Sequence, residues 1–101
     1  MSRPKYYWFG FVKKLLWRYP EQLKTDHTTL SYSAIVAIDK ALEETERLPN
    51  GAERVELIDL LYFKNAYTLE GAALKLHIST RLAQNWNSHF IYRVGWYMGF
   101  L

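Results

Sequence analysis

Apolar residues recur along this chain at helical spacing, in five stretches separated by polar or turn-forming residues. The first stretch, Tyr6 to Tyr19, carries a stripe of Tyr7, Phe11, Leu15 and Tyr19, with Trp8, Val12 and Leu16 beside it. Lys13, Lys14 and Arg18 fall on the other side, so the spacing predicts a core helix. Pro20 disfavours α conformation in the residue before it, which places the end of that helix at Tyr19. Glu21–Thr29 is polar and reads as a loop. Leu30–Arg47 reads as the second helix, with Ile35, Ile38 and Leu42 inward and Ala34 and Ala41 flanking. Its acidic tail of Glu43, Glu44 and Glu46 reads as a solvated face.

Pro49-Asn50-Gly51 is turn chemistry. Asn50, with Glu53 three residues on, forms a capping-box variant for a third helix over Ala52–Phe63 that buries Leu57, Ile58, Leu61 and Tyr62. After the connection Lys64-Asn65-Ala66, Thr68 is placed to cap a short fourth helix with Leu69, Ala72, Ala73 and Leu76 on its buried face. His77-Ile78-Ser79 interrupts the run. Ser79 is placed to cap a fifth helix through Phe90, Tyr92 and Val94 to about Trp96, with Ala83 and Trp86 inward. The expected fold is all-α, one domain over 1–101 of about five helices. Residues 1–50 form a helical scaffold and 51–96 a C-terminal module packed on it.

Composition supports a packed core: 50% of the 101 residues are hydrophobic and 17% aromatic. The chain has no cysteine, which removes disulfides, thiolate nucleophiles and Cys-based zinc sites. The opening MSRPKYYWFGF lacks the apolar core and cleavage site of a signal peptide, and no apolar run is long enough to span a bilayer. A membrane-surface helix is a sharper reading of the first stretch, whose basic residues oppose Trp and Phe, but a small domain needs those aromatics for its own core. No membrane partner and a cytoplasmic location are therefore expected.

The net charge of +3 is unevenly laid out. Residues 1–24 hold six Lys/Arg against Glu21, residues 25–60 three against eight Asp/Glu, and residues 61–101 four against Glu70. An acidic middle between basic ends suits a domain that turns one face to a polyanion.

Nothing in the pattern assembles an enzyme. A Gly-rich phosphate loop, a metal-ligand pair at i,i+4 and a nucleophile elbow are all missing. The cluster Asp26, His27, Thr28 and Thr29 reads as a loop with an N-cap rather than a metal site. No catalytic residue, metal or cofactor is expected. The informative stretch is YTLEGAALKLHISTRLAQNW, Tyr67–Trp86. Its apolar residues Ala72, Leu76, Ile78, Ala83 and Trp86 occupy the positions a helix-turn-helix buries, and Ala73 is small enough for two helices to cross closely. His77 stands at the turn position that favours Gly for positive φ, and Gly71 interrupts the first helix.

The segment VELIDLLYFKNAYTLEGAALKLHISTRLAQNWNSHF, about residues 54–92, resembles the C-terminal DNA-binding module of sigma factors, region four. That module also runs as an apolar helix, an aromatic and basic pair, T-L-x-x-x-A-x-x-L, a turn, I-S and a recognition helix. In length and layout the chain resembles small phage late transcriptional activators of the RinA-like and ArpU-like type. Its departures are His77 for Gly, Gly71 for an acidic residue, and Leu82 where a basic residue is common. The resemblance implies a sequence-specific, double-stranded DNA-binding regulator of phage transcription in the bacterial cytoplasm. Thr80, Arg81, Gln84, Asn85 and Ser88 would read bases, with Arg suited to guanine O6/N7 and Gln or Asn to adenine N6/N7. Lys64, Thr68, Lys75, Ser79, His89 and Arg93 would contact the DNA backbone. RNA polymerase is a further expected partner, as is a second copy of the chain through the apolar C-terminus. Two other readings stay open: a small terminase subunit marking DNA for packaging, and a protein-interaction module docking RNA polymerase.

Overall fold

The computed structural model describes residues 6–24 and 32–100, and the fold is all-α. Five helices follow in order: α1 (Phe9–Lys24), α2 (Tyr32–Glu46), α3 (Gly51–Ile58), α4 (Leu69–Lys75) and α5 (Thr80–Met98). Helix α3 runs on into a π-helical turn, Asp59–Phe63. Among the described residues no helix is long and apolar enough to cross a membrane.

Helix α1 faces the core with Phe9, Val12, Leu15, Leu16 and Tyr19, joined by Trp8 just before it. The expected stripe is therefore rotated: Tyr7 is 98% exposed and Phe11 half-exposed. The reason is tertiary. Trp8 stacks with Tyr6, touches Phe9 and packs against Phe100, so the first aromatics are committed by contacts with the far end of the chain. Helix α1 also does not stop at Tyr19. Pro20 lies inside it, and Glu21–Lys24 is helical rather than loop. The bias of a residue before proline is overcome at Tyr19, which is pinned by a hydroxyl donated to Asp39 Oδ1 and by the Phe63 ring at 5.1 Å. That donated bond and burial both raise the Tyr19 pKa, burial contributing most. The Asp26-His27-Thr28-Thr29 cluster lies outside the described residues.

Helix α2 packs mainly on α5, and its small residues form the contact. Ala34, Ala37, Ile38 and Ala41 are fully buried, whereas the expected Ile35 and Leu42 are only partly covered. Alanines at the centre of the face let two helices approach closely, with the larger side chains closing the sides. Glu44, expected to be solvated, is instead bonded to Arg93 of α5.

The α2–α3 corner is built differently from the expected capping box. Asn50 has φ 60° and ψ 30°, a left-handed conformation, and its side chain makes no capping bond. Arg54 fastens the corner, through its backbone N–H to the Asn50 carbonyl (2.9 Å) and its Nε to the Pro49 carbonyl (3.0 Å). Gly51 is required here for space: a methyl at this position would overlap the backbone carbonyls of Glu46 and Thr45.

The π-helical turn decides which side chains of this segment face where. Leu60, not among the residues expected to be buried, lies in this turn and is buried one turn after Leu57. Leu57 and Leu60 then face Ala72, Ala73, Ala83 and Trp86, while Ile58 and Tyr62 join the larger core of α1, α2 and α5. Leu61, expected to be fully buried, is partly exposed and packs against both clusters. The C-terminal module is thus joined to the scaffold through the Leu57–Tyr62 segment, in which Leu61 touches both clusters.

Candidate nucleic-acid interface

Thr68, extended at φ −76° and ψ 170°, caps α4 by accepting the Gly71 N–H on its hydroxyl oxygen at 3.1 Å. A methyl at Gly71 would sit 3.2 Å from that oxygen, so the glycine leaves the cap room. Helix α4 ends at Leu76. His77 then adopts φ 58°, its N–H bonding the Leu74 carbonyl (3.2 Å) while the Ile78 N–H reaches back to the Ala73 carbonyl (3.0 Å). Those two bonds make a Schellman turn, the ending that a left-handed residue after the helix permits. Ser79 at once begins α5, accepting the Leu82 N–H at 3.0 Å. Both helix starts are therefore closed by the caps expected from the sequence, and His77 occupies the positive-φ position.

Under the turn, Ala72 and Ala73 of α4 meet Ala83 and Trp86 of α5, with Leu57 and Leu60 as the floor. Trp86 is 5% exposed and serves as core, with the Arg54 guanidinium lying over its ring at 5.3 Å. Burial continues along α5 through Phe90, Ile91 and Val94. On the opposite side Thr80, Arg81, Gln84 and Asn85 are exposed, and Ser88 is half-buried at the edge of the same stripe. Their side chains make no hydrogen bond or ion pair within the described residues. No acidic residue follows Glu70 in the sequence, so the stripe carries Arg81 without a compensating carboxylate on its own helix.

The expected backbone-contact residues fall into two groups. Thr68 and Ser79 are exposed at the starts of α4 and α5, their hydroxyl oxygens accepting from the backbone and their O–H groups left to donate. Lys75 is exposed, its ammonium 5.6 Å from the Tyr67 ring centre. Lys64 is exposed and forms a surface pair with Asp59 at 3.2 Å. Arg93 stands apart from these. Its Nε and Nη2 bind the two carboxylate oxygens of Glu44 at 2.6 and 2.7 Å, and its guanidinium lies over Trp96 at 4.6 Å. The Glu44 bonds hold Arg93 firmly protonated, and the group is spent on structure. His89 is exposed, yet partial desolvation of its imidazole and then the Arg54 guanidinium push its pKa below the usual 6.5, which favours the neutral form.

Two residues of this region were not assigned from sequence. Asn87 lies between Gln84 and Ser88 yet turns inward, its Oδ1 accepting the Tyr62 hydroxyl at 2.6 Å. Burial drives the Tyr62 pKa up to about 12, the bond to Asn87 opposing it. Arg54 is the other, and only the fold brings it to Trp86. Of the apolar tail, Phe100 packs on Trp8 and Phe11 at 5.5 and 5.9 Å, and Trp96 remains 49% exposed.

Among the described residues no group of His, Cys, Asp and Glu is arranged to hold a metal ion. No family model, curated protein or solved structure matches the chain.

Proposed function

We propose that the protein binds duplex DNA sequence-specifically as a transcriptional regulator, with α5 as the recognition helix in the major groove. The observation that carries this reading is the exposed, unpartnered stripe Thr80, Arg81, Gln84 and Asn85 on a Ser79-capped helix whose opposite face is locked by Ala83 and Trp86. Three of those four side chains suit the donor and acceptor pattern of base edges in the major groove. The two helix starts at Thr68 and Ser79 present N–H groups and hydroxyls toward phosphates. Regulation of phage genes is the biological setting suggested by the resemblance to sigma region four and to phage late activators.

Cations free for the DNA backbone are fewer than the sequence implied, because Arg93 is held by Glu44 and the neutral form of His89 is favoured. With Lys75 and Lys64 as backbone contacts, the log of the affinity falls with the log of salt at a slope of about −1.8. The test is selection from a random duplex library, followed by titration of the winner and a scrambled duplex over a range of salt. A preferred sequence with that salt slope supports the reading. Equal, negligible binding of both duplexes at low salt removes it and leaves the protein-interaction reading.

A further inference from the structure

A groove of about 280 Å³ opens where α1 meets the C-terminal module, and it belongs to neither the core nor the recognition stripe. Trp17 of α1 and Tyr67 of the connection before α4 supply aromatic surface to it, and Leu61 and Leu69 close its apolar wall. Trp17 is 45% exposed and rests at 5.7 Å on the Tyr62 ring, which holds it in place without covering it. The charged lining is one-sided: among the described residues Lys13 has no ion-pair partner, and no Asp or Glu lines the groove. Thr68 uses its oxygen as a cap acceptor and keeps its O–H to donate. Asn87 uses Oδ1 to accept from Tyr62 and keeps its amide N–H groups to donate. A cavity with aromatic and apolar walls, one cation and no carboxylate selects a flat apolar body that carries an anion. Inorganic phosphate would satisfy the donors but leave the aromatic walls bare.

We propose that this groove binds a planar aromatic carboxylate of one or two rings, with the carboxylate on Lys13 and the Thr68 and Asn87 donors, and the rings between Trp17 and Tyr67. A ligand there bridges α1 to the Asn65–Leu69 segment that sets where α4 begins, so it acts as an effector of the module. That last consequence rests on the DNA-binding reading above; the binding step itself does not.

The test is an amide and indole NMR titration of the full chain with 2-naphthoate and indole-3-acetate, each paired with its carboxamide. Saturable shifts are expected at the Trp17 indole N–H and the Asn87 side-chain amide, with the carboxylates binding about threefold or more tighter than the carboxamides. Lys13→Met should erase that difference and leave carboxamide binding intact, in a protein whose other signals are unmoved. Absence of saturable shifts at these residues overturns the proposal, as does equal affinity of carboxylate and carboxamide for the unsubstituted protein. So does a duplex, rather than the aromatic acids, moving the Lys13 and Asn87 signals, which would make the groove part of the DNA interface. Binding of the carboxylate by a chain that ignores DNA would sink the proposed function and uphold the groove.

Discussion

Arg93 of α5 grips Glu44 of α2 through two near-parallel bonds of 2.6 and 2.7 Å, and Tyr97 donates a third to the same carboxylate at 3.1 Å. Lying 49 residues apart in the chain, the pair ties the scaffold to the far half of α5. The two side chains are 22% and 30% exposed, so a loss of about 1 kcal/mol is expected for Arg93→Ala in a denaturant titration. On the same account Arg93→Ala leaves the salt slope of DNA binding unchanged, because the guanidinium makes no phosphate contact.

The pair and its neighbour give stability a pH dependence of defined sign. The Arg93 bonds hold the Glu44 carboxyl below its usual value, outweighing burial, which acts the other way. That contribution is fully present above the ordinary Glu value and is lost as pH falls through the lowered one. Burial and Arg54 depress the His89 pKa, so below about 6.5 the unfolded chain takes up a proton that the folded chain resists. Denaturation midpoints should fall in two stages on acidification, the first below neutrality and the second in the carboxylate range. His89→Gln should remove the first stage and Glu44→Gln the second.

The hydroxyl of Thr45 is buried in α2 with no hydrogen-bond partner. An unsatisfied buried hydroxyl costs about 1–3 kcal/mol relative to an apolar group of the same shape. Thr45→Val should therefore leave the fold intact and raise the melting temperature; a lowered one would mean that the hydroxyl has a partner in solution.

His77 holds φ 58° in the Schellman turn, a conformation that costs a residue with a Cβ roughly 1–2 kcal/mol. His77→Gly should stabilise the protein by about 0.5–1 kcal/mol after the greater freedom of glycine in the unfolded chain is counted. A β-branched residue there, as in His77→Val, should destabilise it. Thermal unfolding of the two variants gives the comparison.

Gly95 packs directly beneath Trp8, and a methyl at that position would overlap the indole ring. Trp8 is 5% exposed and also carries contacts to Tyr6, Phe9 and Phe100, so it has little room to yield. Gly95→Ala should cost about 1–3 kcal/mol and separate the two chain ends. Near-ultraviolet circular dichroism of the aromatic cluster should report that separation.

Much of this architecture was legible in the chain, and the legible part is local. Thr68 and Ser79 cap α4 and α5 because a hydroxyl at a helix start needs only the next three residues to find its partner. His77 was placed at a positive φ by the interval between two apolar runs. What escaped depends on distant contacts. The rotation of α1 away from Tyr7 and Phe11 is fixed by Trp8 against Phe100, and its first turns carry aromatics that suit either face. Of the adjacent Leu60 and Leu61, both within helical spacing of Leu57, only packing against Ala72, Ala73, Ala83 and Trp86 selects Leu60 for full burial. Arg93 looked free because its partner lies in another helix, and Asn87 went unassigned because its partner, Tyr62, lies in another element.

The central claim is that Arg81 on the exposed stripe of α5 reads a base pair. Affinities of the unsubstituted protein and of Arg81→Ala for a selected duplex, and for its single-base variants, test this most directly. Arg81→Ala should weaken binding to the selected duplex by about 1–3 kcal/mol and lose discrimination at one base pair, with the preferences at the other positions kept. If Arg81→Ala bound every duplex as the unsubstituted protein does, α5 would not be the recognition helix.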